Sequence, residues 1–166
     1  MKKYHIFLIL PLFFLWISCV EEEVIEAQNL YGNWESYFYL ENQDLNKVDT
    51  YVFDLDGKYY RSITFKDPET NQILGYSIYL MGNYVLEGNE LVLNEESRLF
   101  NLGEELYEDI EGLSELDVVE YTAVSLAFKS SRQILEITKT CSPLLSSICI
   151  PVTSYNRKEY NLITLF

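Results

Sequence analysis

Alternation with a period of two residues most narrows the folds open to this chain. From Asn33, "NWESYFYLEN" places Trp34, Ser36, Phe38 and Leu40 on one face and Glu35, Tyr37 and Tyr39 on the other. That is the pattern of a strand buried on one side. "TYVFDLDGKYYRSITF" then sets Asp56-Gly57 between two β-rich runs, and Asp-Gly tolerates the positive φ of a tight hairpin turn. "ILGYSIYLMGNYVLEGNELVLNE" continues the rhythm, with a bend expected at Gly82-Asn83 and a hairpin turn at Gly88-Asn89. "DVVEYTAVSLAFKSS", "RQILEITKT", "ICIPVTSY" and "KEYNLITLF" supply the later strands. The reading is all-β: an antiparallel meander of eight to ten strands, and closure into a barrel is the commonest way for such a meander to remove its exposed edges. The 14 Tyr and 9 Phe suit strands that face water on one side and an apolar interior on the other.

One stretch interrupts the rhythm. Residues 95–117 are acidic, with Glu104, Glu105, Glu108, Asp109 and Glu111 clustered around Leu106, Tyr107 and Ile110. Leu106 and Ile110 share a face at helical spacing, so one short amphipathic helix or a loop is expected here. A solvated loop, a lid or partner-contact surface, and a calcium site are the three roles such a segment can take. Calcium is the weakest of them, because no D-x-D-x-D-G spacing appears, and no metal or other cofactor is expected.

The first residues give an address. Lys2 and Lys3 precede an apolar stretch, Ile6 to Ile17, which is too short to span a bilayer but suits the core of a signal peptide. Ser18 and Cys19 follow, and the stretch "LWISC" resembles the lipobox of bacterial lipoproteins. The resemblance implies a signal peptide over residues 1–18, cleaved before Cys19, whose thiol carries the lipid. Stable anchoring then comes from more than one acyl chain, each buried CH₂ contributing ~0.8 kcal/mol. An ordinary cleaved signal ending near Ser18 is the alternative. Glu21, Glu22, Glu23 and Glu26 make residues 19–29 an acidic tether. They also look like the residues that direct some lipoproteins to the outer face of the outer membrane, although a merely solvated spacer has the same composition. The expected location is the outer membrane, lipid-anchored and facing the periplasm or the cell surface.

Charge and composition exclude several activities. Without residues 1–18 the chain keeps ten basic residues against 26 acidic ones, a net charge of −16. Such a surface repels phosphate backbones, so no nucleic-acid partner is expected. His5 is the only histidine and lies in the signal segment. The processed protein thus has no imidazole for a Ser–His–Asp or Cys–His mechanism or for zinc. Outside the cytoplasm, Cys141 and Cys149 of "CSPLLSSIC" are expected to form a disulfide, stapling a hairpin and contributing roughly 2–3 kcal/mol. Nothing distinguishes a catalytic carboxylate pair, and the chain is read as a non-enzyme. Asp54 and Arg61, on opposite strands of the second hairpin, are one candidate for an inward-facing pair.

A second resemblance concerns the folded part, residues 30–166. "NLYGNWESY" resembles the opening G-x-W of the lipocalin-like superfamily, through Gly32, Asn33 and Trp34. "YVFDLDGKYY" and "GNYVLEGNELVL" resemble the hairpins of small lipocalin-like domains in bacterial lipoproteins, and the likeness spans roughly residues 30–95. It implies a cup-shaped barrel whose closed end is plugged by Trp34, with a late arginine over its ring. Arg157 is the first candidate for that arginine and Arg132 the second. The interior would hold a small apolar or amphiphilic ligand, with Tyr37, Phe53, Tyr59, Tyr84 and Tyr121 as the expected pocket wall. The competing function is that of a structural or protein-interaction lipoprotein with a filled barrel, presenting its acidic loops to a partner such as a cationic enzyme. An interior cavity of ~300 Å³ or more would favour the ligand binder.

Overall fold

The structure, a computed structural model, describes residues 25–117, 121–140 and 151–158. The signal segment, Cys19, the Cys141/Cys149 pair and the final run "EYNLITLF" lie outside the described residues.

The alternating segments form strands β1 (Gly32–Leu40), β2 (Leu45–Phe53), β3 (Lys58–Lys66), β4 (Ile73–Glu87), β5 (Glu90–Phe100), β6 (Ser114–Glu115), β7 (Tyr121–Lys129), β8 (Ile134–Lys139) and β9 (Val152–Lys158). Every pairing is antiparallel, and successive strands pair with one another except around β6. The meander closes on itself, because β9 returns to β1 through Trp34↔Arg157 and its neighbours. Eight strands thus form a ring, barrel-like, and β6 adds to the distal part of β5 at Leu99 and Phe100. Closure gives each ring strand a partner on both sides, which is what removes the exposed edges of an open meander.

The turns follow local chemistry. Gly57 (φ 81°) and Gly88 (φ 62°) occupy left-handed backbone that a glycine adopts without strain. Gly82 is different from the expectation. It is no bend but the interior of a 15-residue strand, at a bulge between Met81 and Gly82. A Cβ there would lie 2.0 Å from the carbonyl oxygen of Asn94, so the glycine lets two backbones approach.

The acidic segment also resolves differently from its composition. Strand β5 continues to Phe100, so pairing persists well into it. Beyond lies a loop with a single 3₁₀ turn at Ile110–Gly112, and no longer helix forms. Gly103 and Gly112 bracket a stretch too short to nucleate a helix easily, and Glu108 finds backbone partners in Tyr76 instead, at 2.8 and 3.0 Å. Tyr107 sets its ring 5.4 Å from Phe65. The loop is therefore fastened at the end of the ring opposite Trp34.

Among the described residues packing already involves Ile25, inside the stretch expected to be tether. Ile25 is buried, its N–H donates to Asn89 Oδ1 (3.2 Å), and a helical turn at Ala27–Leu30 sets Leu30 in the core. The core runs through the ring interior: Trp34, Tyr51, Phe53, Tyr59, Tyr84, Leu91, Leu93, Val124, Leu126, Leu135, Ile137 and Tyr155. Each such side chain contributes about 1.5–3 kcal/mol by leaving water.

Candidate functional site: a charged cavity inside the ring

Strand parity sorts side chains into an inner and an outer set, and the inner set changes character along the ring axis. At the Trp34 end it is dry. The Trp34 indole N–H donates to the Leu30 carbonyl (2.7 Å), Arg157 lies 4.6 Å from the Trp34 ring centroid, and Phe128 packs at 5.7 Å. Arg157 Nη2 donates to the Asn29 carbonyl, while its buried Nε has no partner among the described residues. Phe53 packs edge-on to Tyr84 at 5.3 Å, and the Tyr84 hydroxyl donates to the Asp54 carbonyl.

Further along, the register places charges inside. Asp49 and Tyr51 on β2 face Arg61 on β3, whose Nε and Nη2 donate to the two Asp49 oxygens at 3.0 and 2.8 Å. The Tyr155 hydroxyl donates to the same carboxylate (3.0 Å), and the guanidinium lies 5.0 Å from the Tyr51 ring centroid. On β5, Arg98 donates from Nε and Nη2 to Glu95, both at 2.8 Å. Residues three apart on a regular strand point to opposite faces. Glu95 and Arg98 share the inner face because the bulge opposite Met81 and Gly82 shifts the register between them. Gly82, paired with Glu95, lets the two backbones come close at this bulge.

These side chains surround a cavity of about 350 Å³. Its floor is Tyr51, Tyr59 and Leu93, one wall is apolar (Ile78, Leu80, Phe100), and the rest is polar (Arg61, Glu95, Arg98, Thr122, Lys139). Of the three cations, Lys139 alone has no carboxylate within ion-pair distance among the described residues. Burial and the nearby Arg61 charge hold its ammonium below the usual lysine range, partly offset by Asp49. Arg61 is driven the other way: burial opposes its charge, but Tyr51 and the bonded Asp49 outweigh that and keep it firmly protonated. Burial pushes the Tyr51 hydroxyl up to about 12. It likewise raises Tyr59, with Glu95 adding to the effect, and Tyr155, with Asp49 adding.

The residues expected as pocket wall divide by parity. Tyr59 lines the cavity. Phe53 and Tyr84 sit in the packed core toward Trp34, and Tyr37 and Tyr121 are on the outer face, Tyr121 being 69% exposed. Tyr37 belongs to an outer cluster, its hydroxyl donating to the buried Glu35 (2.5 Å), which also meets Lys66 (3.2 Å). Arg157 rather than Arg132 lies over Trp34. Arg132 instead donates to the Asn29 side chain at 3.0 Å. Arg61 does face inward, but its partner is Asp49 and not Asp54. Among the described residues no group of three or more acidic or cysteine side chains is arranged to hold a metal.

The architecture is thus an all-β, eight-strand antiparallel ring with one packed end and a charged interior chamber. No protein-family profile matches the chain, and neither curated proteins nor solved structures match it.

Proposed function

We propose that this protein is a lipid-anchored lipoprotein of the outer membrane whose ring holds a small amphiphilic molecule in its interior. The observation that carries the reading is the cavity itself. At about 350 Å³ it reaches the size range of small-molecule sites, and it combines an apolar wall with a few convergent polar groups. The lipobox-like "LWISC" supports the membrane address, and the acidic segment that follows serves as its spacer. Retention and release of a guest need no reacting group, in keeping with a processed chain that has no histidine.

Native mass spectrometry of the full protein, extracted from its own membrane, tests both parts. The expected result is an acylated chain carrying a small guest, with the guest lost in Thr122→Trp, which fills the cavity. A chain that retains no guest and takes up no small molecule when one is supplied would leave the filled-barrel, protein-interaction reading in its place.

A further inference from the structure

We infer that the guest carries a single negative charge, a carboxylate seated against the Lys139 ammonium, with its apolar part along Ile78, Leu80 and Phe100. This rests on the proposed interior ligand and adds its chemical class.

The inference comes from a count of charge and of partners. Among the described residues three cations line the cavity, and two of them have acids of their own there. Among the described residues Arg61 is held by both oxygens of Asp49 and Arg98 by both oxygens of Glu95, each in a two-toothed pair. Among the described residues, the cavity cation left without a carboxylate at ion-pair distance is Lys139. A partly buried ammonium without a counter-charge is costly, and a carboxylate beside it would remove that cost. The location sharpens the point. The chain as a whole carries a net charge of −14, whereas among the described residues the chamber has an excess of one positive charge. A monoanion matches that excess among the described residues, whereas a second negative charge would meet Asp49 and Glu95. Thr122 adds a hydroxyl at the same cavity wall, and the apolar side chains on β4 and β5 supply a surface for a short hydrocarbon tail.

Calorimetric titration of the full protein in detergent, corrected with a detergent blank, separates the possibilities with two probes of one shape: hexanoate and 1-hexanol. Hexanoate is expected to bind at least ~10-fold more tightly, as a charge-assisted hydrogen bond allows. In Lys139→Met that preference should collapse to parity while 1-hexanol binding stays within about twofold, with an unchanged circular dichroism spectrum. Equal binding of the two probes by the unmodified protein would overturn the carboxylate and leave the interior ligand standing. So would a hexanoate preference that survives Lys139→Met. Failure of both probes to bind would remove the interior-ligand reading and this inference with it.

Discussion

The two ends of the ring interior are made from the same alternation but do opposite things. Around Trp34 the inward positions are filled mainly by aromatic and aliphatic groups, with Arg157 laid over the indole, and the Trp34 N–H, the Tyr84 hydroxyl and Arg157 Nη2 donate to backbone carbonyls. Past Tyr51 and Tyr59 the inward positions become Asp49, Arg61, Glu95, Arg98 and Lys139, and space opens between them. Apolar packing at this density stabilises the fold, since each buried methylene contributes ~0.8 kcal/mol. A buried ion pair adds little net stability over an apolar pair of the same size. The first region therefore holds the ring together, and the second is a place where stability has been given up for polar groups aimed at a cavity.

Substitutions should expose that division, beginning with the largest effect. Trp34→Ala removes the plug, its indole hydrogen bond and the surface beneath Arg157, and is expected to cost about 3–5 kcal/mol in urea denaturation. A loss under about 1 kcal/mol would mean that the packed end does not carry the fold.

Alkaline pH should act next. The folded hydroxyls of Tyr51, Tyr59 and Tyr155 all titrate above their ordinary value of 10.0, chiefly because of burial. The folded state then holds protons that the unfolded chain releases, so the stabilisation is intact below pH 10 and declines as pH rises past it. For Tyr51, raised to about 12, the loss is about 2 kcal/mol at pH 12 and approaches about 2.7 kcal/mol above it. The share of tyrosinate absorbance that belongs to these buried rings should therefore rise together with the loss of β-sheet ellipticity above pH 10. Ionisation of these rings without unfolding would contradict their burial.

The Asp49–Arg61 pair gives a smaller and more diagnostic response. Both side chains are 20% exposed, so Arg61→Met alone should cost about 2 kcal/mol by stranding the Asp49 carboxylate. The double variant Asp49→Leu/Arg61→Met should recover most of that loss in the same denaturation assay. Equal losses for the single and double variants would show that the pair holds the ring together as the apolar end does.

How much of this was legible in the sequence follows from what is local. Period-two alternation and the Asp56-Gly57 and Gly88-Asn89 turns depend on neighbours only, and the meander they predict is the one observed, with nine strands in the described residues. Gly82 misled because a glycine at a bend and a glycine at a bulge look alike until the opposite strand is in place. The acidic composition of residues 95–100 hid the continuation of β5 for a related reason: two of its charges face each other inside the ring. The site itself was mostly hidden. Alternating tyrosines do not show which face of each strand points inward, so the expected pocket wall joins the outward Tyr37 and Tyr121 to the inward Tyr59. Pairing of Arg61 with Asp49 needs the β2–β3 register, and the shared face of Glu95 and Arg98 needs the bulge. Lys139 had no local mark at all.

The division of the interior is tested most directly by a heteronuclear NMR titration of the full protein in detergent with hexanoate. Chemical-shift changes should concentrate at Leu80, Leu93, Phe100, Thr122 and Lys139, while the Trp34 indole, Leu30 and Leu135 stay still. Shifts confined to outer-face positions such as Tyr37 and Tyr121, or spread equally over the Trp34 end, would contradict a packed half and a receptive half within one ring.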